Sequence, residues 1–425
     1  MTPDLVVHFG PRALLSLVGI ATIIVGVWQV DRAWDEEGFK AFERAKERDP
    51  DNPVIPDDEL AAAGRFPLLF LLGWALLAIA YLFPADGTGS IDVSAAGVIS
   101  LVLALALAGV ASIPMSDAVR HRKAKKKQML SMLFAAGWIA LAIFSAISAS
   151  GGASSYIFSG LGVVSILISM QLLWKFRKMG NSWEQDARPN PNPVVYNPGG
   201  SLFVAGWFLF WIAMSATNEG VLEGGLPVYF NVRTALAFLV GFAMVPVVML
   251  VDYAHDEGAP YVGFGTDGSY FGRFLETPIP FISMWVVFGF ASFFALDNSF
   301  DPDVRSWLLL ATAIAQGIFA GVLLQTATYK QNHGLKTRLS PGFVILFILL
   351  AINIGFDGAP AIYLALAGAI FTLMSQRVAF AHRKRGDHWM KTGQPNPNPI
   401  VYSPGIPMFQ VGWILLGWAV SIGVQ

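Results

Sequence analysis

The sequence predicts an all-α polytopic membrane protein of about twelve transmembrane helices, arranged as two parallel six-helix repeats with both termini on the non-cytoplasmic side. Three observations lead there: more apolar surface than a water-soluble core can hide, a series of long apolar runs, and polar loop motifs that recur at near-constant spacing. Of the 425 residues, 55% are hydrophobic and 13% charged, against roughly a quarter charged in ordinary soluble domains. Lipid is therefore the expected solvent.

The formal net charge of -1 says little about partners, because in a membrane protein the placement of charge carries the information. The absence of cysteine excludes a disulfide framework, a thiolate metal site and a thiol nucleophile. Asp4 precedes a long apolar run that begins near Ala13, which is unlike the basic n-region and short apolar core of a signal peptide. That run is read as a genuine first span.

A span needs about 20 mostly apolar residues to cross about 30 Å of hydrocarbon. Segments that meet this begin near Pro11, Phe66, Ala95, Met129, Tyr156, Leu202, Val232, Phe281, Trp307, Phe343, Ala361 and Phe409. The basic residues orient them: the loops after odd-numbered spans hold 25 of the 28 Lys and Arg, and the other side holds only Arg12, Arg233 and Arg305. By the positive-inside rule the odd loops face the cytoplasm or its organellar equivalent. Trp34, Trp174, Trp183, Trp307 and Trp389 sit at or near span ends, where an indole suits the headgroup region.

Self-similarity runs through most of the chain. Residues 189–196 read PNPNPVVY and residues 395–402 read PNPNPIVY, an offset of 206 that also relates Trp183 to Trp389 and Gly206-Trp207 to Gly412-Trp413. At the front of each half, Phe9, Arg12, Asp31, Asp35 and Glu36 match Phe230, Arg233, Asp252, Asp256 and Glu257 with an offset of 221. The first half carries the extra residues, most of them in a charged cytoplasmic loop, 31–65. Matching polar loops at a steady offset point to tandem duplication, with repeats at 1–218 and 219–425. Six spans per repeat give both halves the same orientation, so a pseudo-two-fold axis along the membrane normal should relate them.

Several constellations invite a functional reading, each beside a plainer one. Asp31 with Asp35, and Asp252 with Asp256, would share a helix face if the helix continues beyond the membrane. Such carboxylate pairs suit a hard divalent cation; the plainer reading is a solvated helix end paired with nearby bases. Arg12 and Arg233 suit an anionic headgroup or substrate, or else anchor the hydrocarbon boundary. The stiff Pro-rich loops, with Pro191, Tyr196, Pro397 and Tyr402, suit contact with a neighbouring subunit, or simply position the last span of each half.

The basic run RHRKAKKK at 120–127 suits anionic lipid, although setting the topology already accounts for it. GFGTDG at 263–268 matches a dinucleotide fingerprint in letters alone, since no βαβ context surrounds it. Gly317 and Gly321 form a GxxxG pair suited to close helix packing.

All six histidines lie in loops or at span ends, which argues against intramembrane haem ligation or a histidine relay. No acidic or basic residue falls in the middle third of a span, where ionisable residues mark ion pathways. The interior polar set is thin, and Gln316, Gln325, Asn353 and Gln376 are its candidate solute contacts.

The architecture superficially resembles the major facilitator group, but its outward termini and the uncharged-by-base turn PADGTGSIDVS depart from that group. Parallel repeats favour a transporter, with a path at the interface of the repeats for a neutral, apolar or lipid-like solute. The missing intramembrane charge equally suits a structural scaffold or accessory subunit without catalysis. The expected partners are membrane lipids and further subunits, whether copies of this chain or a larger membrane assembly, and not nucleic acid. No cofactor is expected beyond bound lipid and a divalent cation at the acidic pairs.

Overall fold

Apolar side chains gain little by leaving lipid for a protein interior, so helices in a membrane associate where small residues let their backbones approach. The structure, a computed structural model, describes residues 5–56, 59, 67–91, 94–115, 117, 123–149, 151–179, 197, 199–217, 225–228, 244, 279–296, 304–324, 333–357, 359–385 and 403–422. Two compact units divide the chain, one of Leu5–Leu226 and one that includes Pro227–Gln425.

The first unit contains α1 (Pro11–Arg48), α2 (Leu68–Ala80), α3 (Ala95–Val110), α4 (Ala124–Ala149), α5 (Gly152–Met179) and α6 (Gly199–Ser215). The second contains α7 (Ile279–Leu296), α8 (Val304–Ile318), α9 (His333–Ile354), α10 (Ala359–Arg385) and α11 (Gly405–Ile422). Among the described residues, seven helices are long and apolar enough to cross a membrane, and four shorter apolar helices accompany them. The chain is a helical, multi-pass membrane protein. Apart from Met244, the span expected from Val232 lies outside the described residues.

Helix ends follow local chemistry. Pro11 opens α1, where a missing N–H costs nothing. The Ser94 Oγ accepts from the Gly97 N–H at 3.0 Å and caps α3. The Asn197 Oδ1 accepts from the Gly199 N–H at 3.0 Å, and the Ser403 Oγ accepts from the Gly405 N–H at 3.2 Å, at the starts of α6 and α11. A short antiparallel pairing joins β1 (Leu5–His8) to β2 (Ala216–Thr217), with Val6 opposite Thr217 and Val7 opposite Ala216.

The front of the charged segment, 31–48, is helical and extends α1 to 38 residues, which meets the condition under which Asp31 and Asp35 share a helix face. Ion pairs support the extension: Arg32 to Glu36 at 2.7 Å and Lys40 to Glu37 at 2.9 Å join neighbours on the helix surface. Arg44 and Arg48 both reach Glu59, at 3.5 and 2.8 Å.

Burial patterns recur between the units. Ser155, Ser159, Val163, Ile166, Ser169 and Leu173 of α5 are buried, as are Ala361, Ala365, Ala369, Thr372, Ser375 and Ala379 of α10, each 206 positions on. A Cβ on Gly162 would stand 2.8 Å from the Gly206 carbonyl oxygen, and one on Gly368 would stand 2.7 Å from that of Gly412. These glycines let α5 pack on α6, and α10 on α11, backbone to backbone. Gly317 serves α8 likewise, since a Cβ there would meet the Trp285 Cβ at 2.7 Å.

In α4, Phe134, Trp138, Leu141, Ala142 and Ser145 are buried; in α9, 209 positions on, so are Phe343, Phe347, Leu350, Ala351 and Ile354. Large aliphatic residues such as Val102, Met132, Leu133, Ile139 and Val164 point outward instead. That is the inversion expected of helices solvated by lipid.

Candidate functional site

Tryptophan in the middle of a span is costly to place, because its indole N–H needs a partner that hydrocarbon does not supply. The first unit places three there. Trp74 of α2, Trp138 of α4 and Trp207 of α6 are each 1% exposed. They form a closed triangle with ring centroids 5.4, 5.1 and 5.8 Å apart and interplanar angles of 62°, 70° and 68°. None of the three N–H groups has a hydrogen-bond partner. Edge-to-face packing offers an indole edge a π face in place of an oxygen, and each such contact contributes about 0.5–1.5 kcal/mol beyond burial.

This triangle forms the floor of a cavity of about 220 Å³. Five helices of the unit line it, including Ile23 of α1, Phe70 of α2, Phe134 of α4, Met170 and Trp174 of α5, and Phe203 of α6. Phe70, Phe134 and Phe203 come from the N-terminal halves of α2, α4 and α6, and Met170 and Trp174 from the C-terminal half of α5. The cavity therefore lies toward the lysine-rich end of the bundle.

Ala111 and Met115 complete the wall from a π-helical turn, Ala111–Met115, that continues α3 and contains Pro114. Proline lacks the N–H of a regular ladder, and a wider turn accommodates the gap. A second π-helical segment, Phe319–Leu324, follows α8 in the other unit. Among the described residues every lining side chain is apolar or aromatic, so the cavity can hold hydrocarbon and these side chains offer no oxygen ligand to an ion.

The second unit has the matching aromatic cluster without the third indole: Trp285, Phe347 and Trp413, with Trp285 5.5 Å from Phe347 and 5.4 Å from Trp413. Polar groups enter near it. Gln316 is fully buried and donates from Nε2 to the Phe343 carbonyl at 3.2 Å, while its Oε1 has no partner. It stands 209 positions after Leu107. Gln376 stands 206 positions after the cavity residue Met170 and is exposed on α10. Asn353 is half-buried and offers its carbonyl to Arg305.

Arg12 is 2% exposed. Its Nη1 donates to the Phe83 carbonyl at 3.3 Å and the Ser148 carbonyl at 3.2 Å, and its Nη2 to the Ser148 Oγ at 2.6 Å. Its guanidinium stands 5.2 Å from the centroid of the Tyr81 ring, whose hydroxyl bonds the Ser145 hydroxyl. The cation thus joins the start of α1 to the ends of α2 and α4, where unsatisfied carbonyls present negative potential.

Arg305 does the same in the second unit from the start of α8. Its Nε donates to the Asn353 carbonyl at 2.9 Å and its Nη2 to the Ile354 carbonyl at 3.3 Å, with the Phe356 ring 5.8 Å away. This role was not legible in the sequence, where Arg305 has no matching basic residue in the first half.

Asp31 and Asp35 share a buried face of α1, each 8% exposed. Two carboxylates supply fewer oxygens than the about six to eight that Ca²⁺ takes. Among the described residues, no group of three or more His, Asp or Glu is placed to hold a metal ion. Asp252, Asp256, Arg233, Gln325, Pro191, Tyr196, Pro397 and Tyr402 lie outside the described residues.

Comparison of the chain with protein-family models, curated proteins and solved structures gives no match.

Proposed function

We propose that the chain is a twelve-span protein of two parallel repeats that binds, and carries through the membrane, an apolar or lipid-like solute seated inside the first six-span unit. The observation that carries this reading is the 220 Å³ cavity itself: walled by five helices and a π-helical turn, floored by three tryptophans and, among the described residues, lined by apolar and aromatic side chains. A folded bundle gives up packing contacts to keep such a space open, and a hydrocarbon guest would recover them. The recurrent burial at spacings of 206 and 209 supports the duplication, and the lysine-rich end supports the cytoplasmic placement of the odd loops.

The test is tryptophan quenching by an uncharged brominated alkane, with the full chain in a nonionic detergent. Quenching is expected in the native protein beyond that of its exposed tryptophans such as Trp28 and Trp307, and should be reduced in Ala111→Phe, which fills the cavity. Native protein and variant quenching alike would sink the reading, and the scaffold alternative would then stand. Because the chain has no cysteine, single cysteines at Thr2 and Gln425 test the orientation. Both should react with a reagent confined to the outside.

A further inference from the structure

The rim of the cavity carries a charge that its interior lacks. The Lys127 Nζ lies 3.0 Å from the centroid of the Trp174 ring. Trp174 in turn both lines the cavity and is 40% exposed, so this indole joins the apolar interior to the surface. An ammonium stacked on an aromatic face gains from the ring quadrupole and is held at the mouth.

Lys127 closes the basic run 120–127, in which Lys125 is exposed. Lys123 and Lys126 share Asp117, at 3.5 and 2.9 Å. The second unit has a lysine, Lys336, 209 positions after Lys127. Among the described residues, the acidic groups of α1 nearest this end are engaged or buried: Glu36 is paired with Arg32, Glu37 is paired with Lys40, and Asp31 and Asp35 are buried.

We infer that the occupant of the cavity is a single-chain anionic amphiphile, its alkyl end on the Trp74–Trp138–Trp207 floor and its anionic head at Lys127 and Lys125. The inference rests on the cavity being a ligand site, as proposed above. Size argues for one chain: a dry cavity of about 150 Å³ holds a guest the size of benzene. A space of 220 Å³ therefore takes the terminal segment of one alkyl chain rather than two. Charge argues for the head, since each lysine near a membrane surface favours an anion by about fivefold in affinity.

The experiment compares three probes of equal length on the full chain at low salt: 11-bromoundecanoate, 11-bromoundecanol and 11-bromoundecylamine. The carboxylate should half-quench tryptophan fluorescence at a concentration about fivefold or more below that of the alcohol. Lys127→Gln, and separately about 0.5 M salt, should bring the two within about twofold, with the alcohol unchanged. Competition by undecanoate and by undecyl phosphate then separates a fatty acid from a phosphorylated lipid as the source of the head.

Equal binding of alcohol and carboxylate would overturn the inference and leave the apolar site standing. Tighter binding of the amine would overturn it in favour of Asp31 and Asp35 as the charges that set the selectivity. Failure of every probe to distinguish native protein from Ala111→Phe would instead overturn the cavity reading.

Discussion

Trp138 and Trp207 meet edge to face with ring centroids 5.1 Å apart, and Trp74 closes the triangle against both. The second unit sets Phe347, Trp413 and Trp285 in the same relation. A phenylalanine thus stands where the first unit has Trp138. The expected consequence is that Trp138→Phe costs little, below about 1.5 kcal/mol for a swap that keeps most of the volume. Trp138→Ala should cost about 3–5 kcal/mol. Thermal unfolding of both variants in detergent measures the difference.

Gly162 and Gly160 lie two residues apart on α5 but meet different surroundings. A Cβ on Gly162 would come within 2.7 Å of the Phe210 backbone nitrogen, whereas one on Gly160 meets nothing within 4 Å. Gly162→Ala is expected to lower stability by about 1–3 kcal/mol through overpacking. Gly160→Ala should be neutral or stabilising by up to about 1 kcal/mol from helix propensity. Thermal melts of the two variants, side by side, decide this.

The donors of Arg12 form a fork that lysine cannot reproduce. Arg12→Lys keeps the charge yet abandons at least one of the acceptors at Phe83 and Ser148, and should cost about 2 kcal/mol. Arg305→Lys should behave alike through Asn353 and Ile354. Hydrogen exchange at the ends of α4 and α9 gives a local readout, with faster exchange confined to the helix whose arginine was changed.

Asp117 is exposed, and its hydrogen bond from Lys126 holds its pKa below the usual carboxylate value, with Lys123 adding attraction. A depressed folded pKa contributes stability above the unfolded value, and that contribution is lost as pH falls through the folded pKa. Carboxyl titration by NMR should show the Asp117 midpoint rise toward the ordinary carboxylate value in Lys126→Gln. It should rise likewise at about 0.5 M salt, because exposed pairs are screened.

The sequence was informative wherever a physical effect depends on local order. The lipid-solvated helical class follows from composition, the spans from run length, and the close packing at Gly317 from its GxxxG spacing with Gly321. Helix continuation past Asp31 was legible only as a condition, because a charged run outside the membrane suits a helix or a loop alike, although local pairs such as Arg32 to Glu36 support the helix.

What the tertiary structure decided was which side chains face inward. Mid-span tryptophans read as ordinary hydrophobes in a linear sequence, since lipid-facing and interior positions are equally apolar and hydropathy cannot tell them apart. Only the packing of α2, α4 and α6 brings Trp74, Trp138 and Trp207 together over one cavity, and only the proximity of helix ends turns Arg12 and Arg305 from boundary charges into staples. The sequence by itself determined the solvent and the helices. Long-range packing, which depends on shape rather than on hydropathy, decided where a ligand can sit.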